Sequence, residues 1–298
     1  MSPPAPSPVP ALRRPAPFVK WVGGKGKLVA QLVPLLPPGV DAMRHVEPFA
    51  GGAALFFARR PERALLADIN VPLIDTYRMV RDRVEEVIEA LVEHAEHHDK
   101  GHYYRVRDRY NEARGAATPA RAAMFLYLNR TCFNGLHRVN RKGEFNVPAG
   151  RYRNPRILDP ERLRAASGEL RGAELVQDGF EGLLRRARPG DFIYLDPPYA
   201  PTSATARFTS YASGGFGAED QVRLRDVFVE LGRRGCRCML SNSDVPFIRE
   251  LYAGFPVTTV AAPRAVNCDG RGRGLVSEVV VRNYGPGAGR RGLPLAAE

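Results

Sequence analysis

Apolar and polar positions along this chain fall into blocks that alternate between strand length and helix length. The stretch "RHVEPFAGGAALFFARR" is a short apolar run, a glycine turn and an apolar helix, and "RALLADINVPLIDTYRMV" repeats that theme. Such strand, turn and helix alternation predicts a parallel sheet of the α/β class, doubly wound and Rossmann-like. Residues 82 to 113 are charged, histidine-bearing and helical in pattern, and "ARAAMFLYLN" (120–129) predicts a further apolar helix. After about 170 the α/β rhythm returns with "AELVQDGF", "DFIYLDPPY", a helix near 217–234, "CRCMLSNSD" and "VSEVVVRNY".

These blocks divide the chain into a catalytic α/β part, 18–80 and 166–284, and an inserted, mostly helical part, 81–165. The proline-rich leader 1–17 is expected to be disordered and the tail 285–298 flexible. The leader has no apolar core of the kind a secretion signal needs, and no run of eighteen apolar residues occurs, so a cytoplasmic protein is expected.

The charge balance sharpens this picture. Forty-four Lys and Arg against 32 Asp and Glu give +12, which favours an anionic partner such as nucleic acid. The excess is concentrated: between Asn129 and Arg156 lie seven basic residues, Arg151 among them, and one acid, Glu144, with Phe133, Phe145 and Tyr152 interleaved. "VNRKGEFNV" predicts a hairpin turning at Lys142-Gly143, a shape that can enter a DNA groove. The four cysteines are too few and too irregularly spaced for a disulfide framework or a zinc ribbon, so no metal is expected.

Two motifs carry candidate chemistry. In "VEPFAGGAAL" a strand ends at paired glycines before a helix, and Asp68 closes the next strand where ribose hydroxyls could be held. Alone, Gly51 and Asp68 fit a plain turn as well as a cofactor loop. "FVKWVGGKGKL" adds a second glycine pair: Trp21 reads either as a ring capping the core next to a turn or as a cofactor edge, with Lys25 facing a carboxylate and Lys20 facing outward. In "GDFIYLDPPYAP" a buried strand ends in an acid, two prolines and an aromatic ring. That ending is either punctuation or the delivery of Asp196 and Tyr199 to a pocket. The pocket reading has a chemical reason: a heteroaromatic amine is a poor nucleophile. A carboxylate and the Pro197 carbonyl accepting its two hydrogens would localise its lone pair for attack on a methyl group, with Tyr199 stacked on the base. A base inside a duplex must be flipped out to reach such a site.

Taken in series, "KWVGGKGKL", "VEPFAGGAALFF", "ADIN", "FLYLNRTCFNGLHRVNRKGEFNVPAGRY", "YLDPPYAPTSATARFTSY" and "LSNSD" resemble the Dam-type DNA adenine-N6 methyltransferases that act on GATC. The resemblance spans about 18 to 284. It implies S-adenosylmethionine as cofactor, with Trp21, Lys25, Glu47, Pro48, Gly51, Asp68 and Asp196 on the cofactor side. Asp196, Pro197, Pro198 and Tyr199 would form the adenine pocket. It implies Leu136 and Arg138 as base readers and Pro148 as an apolar contact. Lys20 and Tyr152 would meet the outer guanine, Phe133 would be an intercalating wedge, Asn134 would lie beside the flipping site, and Arg151 belongs to the same DNA-facing set. The implied partner is double-stranded DNA, met by a monomer, with pairing to a restriction endonuclease open. Three readings compete: a cytosine-N4 methyltransferase, which a serine in place of Asp196 would favour; a protein-glutamine methyltransferase, for which the basic insertion has no purpose; and a DNA-binding protein with a decayed catalytic site.

Overall fold

A computed structural model describes residues 14–115, 117–202, 216–263 and 275–285. Most of the expected leader and tail, and the TSATARFTSY stretch after the Asp-Pro-Pro-Tyr motif from Ser203 on, lie outside the described residues.

Among the described residues seven strands form one mixed sheet: β1 (His45–Glu47), β2 (Ala64–Asp68), β3 (Ala173–Gln177), β4 (Phe192–Leu195), β5 (Arg237–Ser243), β6 (Val257–Pro263) and β7 (Leu275–Arg282). Their order is β3-β2-β1-β4-β5-β7-β6. The strands β3 to β5 run parallel, and β7 is antiparallel to both β5 and β6. Strands β1 and β4 are buried throughout, as expected for a parallel sheet covered on both faces. The chain winds outward from β1 through β2 to β3, and from β4 outward in the other direction. The carboxyl ends of β1 and β4 therefore meet at the topological switch point, where ligands of such sheets bind. Both glycine-loop and Asp-Pro-Pro-Tyr motifs follow directly from those two strand ends.

Short helices α1 (Val29–Leu32) and α2 (Ala54–Arg59) precede a helical group: α3 (Val71–Asp82), α4 (Val84–Glu96), α5 (Lys100–Glu112), α6 (Pro119–Thr131) and α7 (Pro160–Leu170). The helical stretch expected over 82–113 is two helices, because Asp99 breaks it: its carboxylate caps α5 by accepting the His102 N–H. Asn70, Thr118 and Asp159 cap α3, α6 and α7 in the same way, each with a proline in the first turn. Helix α6 is apolar on all sides because α3, α4 and α5 surround it, and ten of its residues are buried. One buried cluster runs from Phe18, Phe56 and Leu66 through Tyr77, Leu91 and Leu126 to Leu163 and Leu175. The helical group thus shares its core with the sheet. Residues 80 and 81 fall inside α3, and 165 and 166 inside α7. After α8 (Leu183–Arg186), helices α9 (Ala218–Arg233) and α10 (Pro246–Leu251) cover the other face with a second cluster around Val46, Ile193, Phe228 and Leu240. Among the described residues no helix is long and apolar enough to cross a membrane.

Candidate active site

Strand β1 ends at Glu47, and the chain turns through Pro48 to Gly51. Gly51 sits at φ +46°, and a Cβ there would come within 2.6 Å of the Trp21 ring. Glycine is required on both counts. The Gly51 N–H donates to Asp68 Oδ2 at 3.1 Å, and Asp68 Oδ1 accepts the Asn70 N–H at 2.9 Å. Burial holds the Asp68 carboxyl above its ordinary value, against the pull of these backbone N–H donors. The Tyr77 hydroxyl donates to the Gly51 carbonyl at 3.0 Å, so the loop is pinned from both sides. Glu47 points inward: Oε1 accepts the Phe56 N–H at 2.9 Å and pairs with His45 Nε2 at 2.7 Å. Pro48 is buried beside it.

Asp196 follows β4, its side chain 19% exposed, and Lys25 Nζ lies 2.8 Å from its Oδ1. Lys25 thus pairs with a carboxylate of the chain itself, that of Asp196. Lys25 also donates to the Gly23 carbonyl at 2.6 Å and lies 4.5 Å from the Tyr199 ring centre. Burial pushes the Asp196 carboxyl up to about 6; Lys25 opposes that rise, while Glu278 and Glu47 add to it.

The turn after Asp196 is tied down by residues that sequence reasoning passed over. Gln221 Nε2 donates to the Pro198 carbonyl at 2.9 Å, and Asn242 Oδ1 accepts the Ala200 N–H at 3.0 Å. Asn242 Nδ2 donates to Gln221 Oε1 at 3.0 Å, and Ser243 Oγ donates to the Ala200 carbonyl at 2.7 Å. Gln221, Asn242 and Ser243 are buried. The Tyr199 hydroxyl donates to Glu278 Oε2 at 2.6 Å. Burial drives the Tyr199 hydroxyl far above its ordinary value, so it stays a donor. "LSNSD" was a visible signal for Asn242 and Ser243, whereas nothing near Glu278 or Gln221 marked them.

The basic segment lies on the helical group. Residues 138–146 form a hairpin: Asn146 N–H donates to the Arg138 carbonyl at 3.1 Å and Asn140 N–H to the Glu144 carbonyl at 2.9 Å, around a Val139–Phe145 bridge. The turn centres on Arg141-Lys142, closed by Gly143 N–H to Asn140 carbonyl at 2.8 Å with Gly143 left-handed, the three-residue form of hairpin loop. That is one residue earlier than the expected Lys142-Gly143 turn. Helix α5 clamps the hairpin: Asn111 exchanges two bonds with the Phe145 backbone, at 2.8 and 3.1 Å, and the Tyr103 hydroxyl donates to the Val147 carbonyl at 2.8 Å.

Phe133, Asn134, Arg138, Pro148, Arg151 and Tyr152 are exposed, and Leu136 is half-buried. Phe133 is 48% exposed and its N–H donates to the Pro148 carbonyl at 2.9 Å, while Asn134 adopts a left-handed backbone at φ 54°. Arg138 Nε donates to Asn146 Oδ1 at 2.8 Å. Lys20 is half-buried. Asn129 holds its backbone by two reciprocal bonds of 2.7 Å, and its ammonium lies 3.2 Å from the Arg130 carbonyl and 4.3 Å from the Tyr152 ring centre. Burial, then Arg130, lowers its pKa. Trp21 joins the two regions, packing on Gly51 and stacking on His137 with ring centres 5.6 Å apart. Among the described residues no cluster of His, Cys, Asp or Glu could hold a metal ion.

A doubly wound sheet with a buried carboxylate turn at its switch point, and a basic hairpin on the adjoining helices, defines an α/β enzyme that acts on nucleic acid. Residues 21–266 match the family of D12 class N6 adenine-specific DNA methyltransferases, and the chain belongs to that family. It is similar to the Type II methyltransferase M1.LlaDCHI of Lactococcus lactis subsp. cremoris, 42% identical over 273 residues covering 90% of this chain and 95% of the relative. It is also similar to the Type II methyltransferase M.MjaIII of Methanocaldococcus jannaschii, 38% identical, covering 90% of this chain and 99% of the relative. The DNA adenine methylase of Escherichia coli (strain K12) is 36% identical, with 91% and 95% covered. The chain is thus an adenine-specific DNA methyltransferase.

Proposed function

We propose that this enzyme methylates N6 of an adenine flipped out of double-stranded DNA, within GATC, with S-adenosylmethionine as methyl donor. The observation that carries this reading is the convergence of Asp196, Lys25, Gly51 and Asp68 at one switch point. S-adenosylmethionine would supply an electrophilic methyl group. The residues fit such a donor: glycine at 51 lets the Trp21 ring pack directly on the turn, and the partly exposed Asp68 carboxylate beside it suits ribose hydroxyls. With a pKa of about 6, Asp196 is mostly ionised at neutral pH. Its carboxylate and the Pro197 carbonyl would accept the two hydrogens of the adenine amine, localising the nitrogen lone pair toward the methyl group. Gln221 takes the neighbouring Pro198 carbonyl, which fixes the turn, and Tyr199 would stack on the base.

Residues 81–165 are read as the target-recognition insertion. Exposed Phe133 is the wedge that would fill the gap left by the flipped base. Arg138 and Leu136 are read as base readers, Pro148 as an apolar contact, and Lys20 with Tyr152 as the outer-guanine contact. Asn134 is placed beside the flipping site and Arg151 on the phosphates. The GATC assignment is supported by the match of these positions to the Dam-type pattern. Mapping methylated adenines in DNA from cells that express the chain tests the whole reading. N6-methyladenine confined to GATC is expected, with none from Asp196→Ala; methylation at another motif would overturn the GATC assignment.

A further inference from the structure

A second carboxylate stands behind the Asp-Pro-Pro-Tyr turn. Strand β7 places Glu278 opposite Ser243 of β5 and Val260 of β6. Ser243 Oγ holds the Ala200 carbonyl at 2.7 Å, and Glu278 Oε2 holds the Tyr199 hydroxyl at 2.6 Å, so two adjacent β-ladder positions grip two adjacent turn residues. A tyrosine ring has two degrees of freedom, and a neutral turn needs no carboxylate to end a strand. A charge-assisted bond at the far end of the ring removes the ring's remaining tilt. We infer that Glu278 is a positioning residue for methyl transfer, whose carboxylate fixes the face that Tyr199 offers to the flipped adenine.

This rests on the reading of Tyr199 as the base platform. Glu278 has a second effect by charge: after burial, which dominates, it adds to the rise of the Asp196 pKa. Glu278 therefore steadies the stacking ring and also keeps the catalytic carboxylate a stronger proton acceptor. A plain strut between strand and turn would do the first without the second.

Single-turnover methylation of a GATC duplex across pH separates these roles. Glu278→Ala should lower the single-turnover rate roughly ten- to a hundredfold, as expected for a displaced catalytic group, and leave the donor concentration that gives half the maximal rate near wild type. Glu278→Gln can still accept the hydroxyl hydrogen, so it should recover much of that loss, yet its acid limb should move to lower pH. Because Gln is isosteric, that limb remains readable even if the alanine variant fails to fold. On the pH plateau, Glu278→Ala in a Tyr199→Phe background should add little, since the bond is already gone and only the shift of the acid limb remains. An equal loss from Glu278→Ala in both backgrounds, or an acid limb unmoved by Glu278→Gln, overturns the inference. Full activity in Tyr199→Ala would instead overturn the platform reading, whatever Glu278 does.

Discussion

Lys25 Nζ sits 2.8 Å from Asp196 Oδ1, with the lysine side chain only 6% exposed. The carboxylate proposed to accept the adenine amine is thus already paired with a buried cation from a different part of the chain. Burial lifts the Asp196 pKa to about 6 and Lys25 pulls it back. The pairing tunes the site between a protonated, idle acid and an ionised acceptor.

The sign of the pH dependence follows. The ionised Asp196 carboxylate is the stronger acceptor for the amine hydrogens and favours the positive charge that develops on the attacking nitrogen, so kcat should fall as pH drops through about 6. Lys25→Met removes the neighbouring cation, so the carboxyl should rise further and the acid limb should move up by roughly one to three pH units. Single-turnover rates from pH 5 to 9 measure this. An acid limb that stays in place in the variant would remove Lys25 from its electrostatic role.

Gly51 and Gly52 are neighbours with different tolerances. Alanine at Gly51 meets both a left-handed backbone and the Trp21 ring at 2.6 Å, whereas a Cβ at Gly52 finds its nearest atom at 3.7 Å. Gly51→Ala should cost roughly 1–2 kcal/mol from the backbone alone. It should also weaken donor binding by displacing Trp21. Gly52→Ala should be close to silent in thermal melts. Equal melting temperatures for the two variants would show that the loop relaxes freely.

Asn242 links three partners from a fully buried position: the Ala200 N–H, the Ser243 N–H at 2.9 Å, and the Gln221 side chain. Asn242→Ala leaves buried N–H groups unpaired, which should destabilise the protein by about 1–3 kcal/mol. It should also lower kcat more than the DNA affinity, because the turn and not the hairpin is loosened. Chemical denaturation, methylation rates and a DNA-binding titration check these parts, and a loss confined to DNA binding would contradict the placement.

Much of the fold is legible in the chain itself. The strand, turn and helix alternation of 44–80 gave β1, α2, β2 and α3, because parallel strands buried on both faces leave continuous apolar runs. Motifs also marked the two strand ends that meet at the switch point. What stayed hidden was long-range pairing. Lys25 and Asp196 are far apart in sequence, and no local pattern announces which acid a lysine will meet. Glu278 lies in an unremarkable strand whose register against β5 only folding fixes. The break between α4 and α5 was missed for a local reason: Asp99 reads as one more charge in a charged helix until its carboxylate is seen capping His102.

Reading bases and gripping phosphates are separable in the hairpin region. Arg138 is exposed, yet its guanidinium is aimed by Asn146 at 2.8 Å, whereas Arg151 is simply exposed. Removing Arg138 should relax discrimination at one base pair by about 1–3 kcal/mol. Asn146→Ala should produce a weaker version of the same defect, because it frees the arginine from its aim without deleting it. Arg151→Ala should instead weaken binding to every sequence alike and lower the salt slope by about one. Binding titrations on GATC and single-substitution duplexes at several salt concentrations give both quantities. If Asn146→Ala changes the salt slope and leaves base discrimination intact, Arg138 is a phosphate contact and the hairpin reads sequence through other residues.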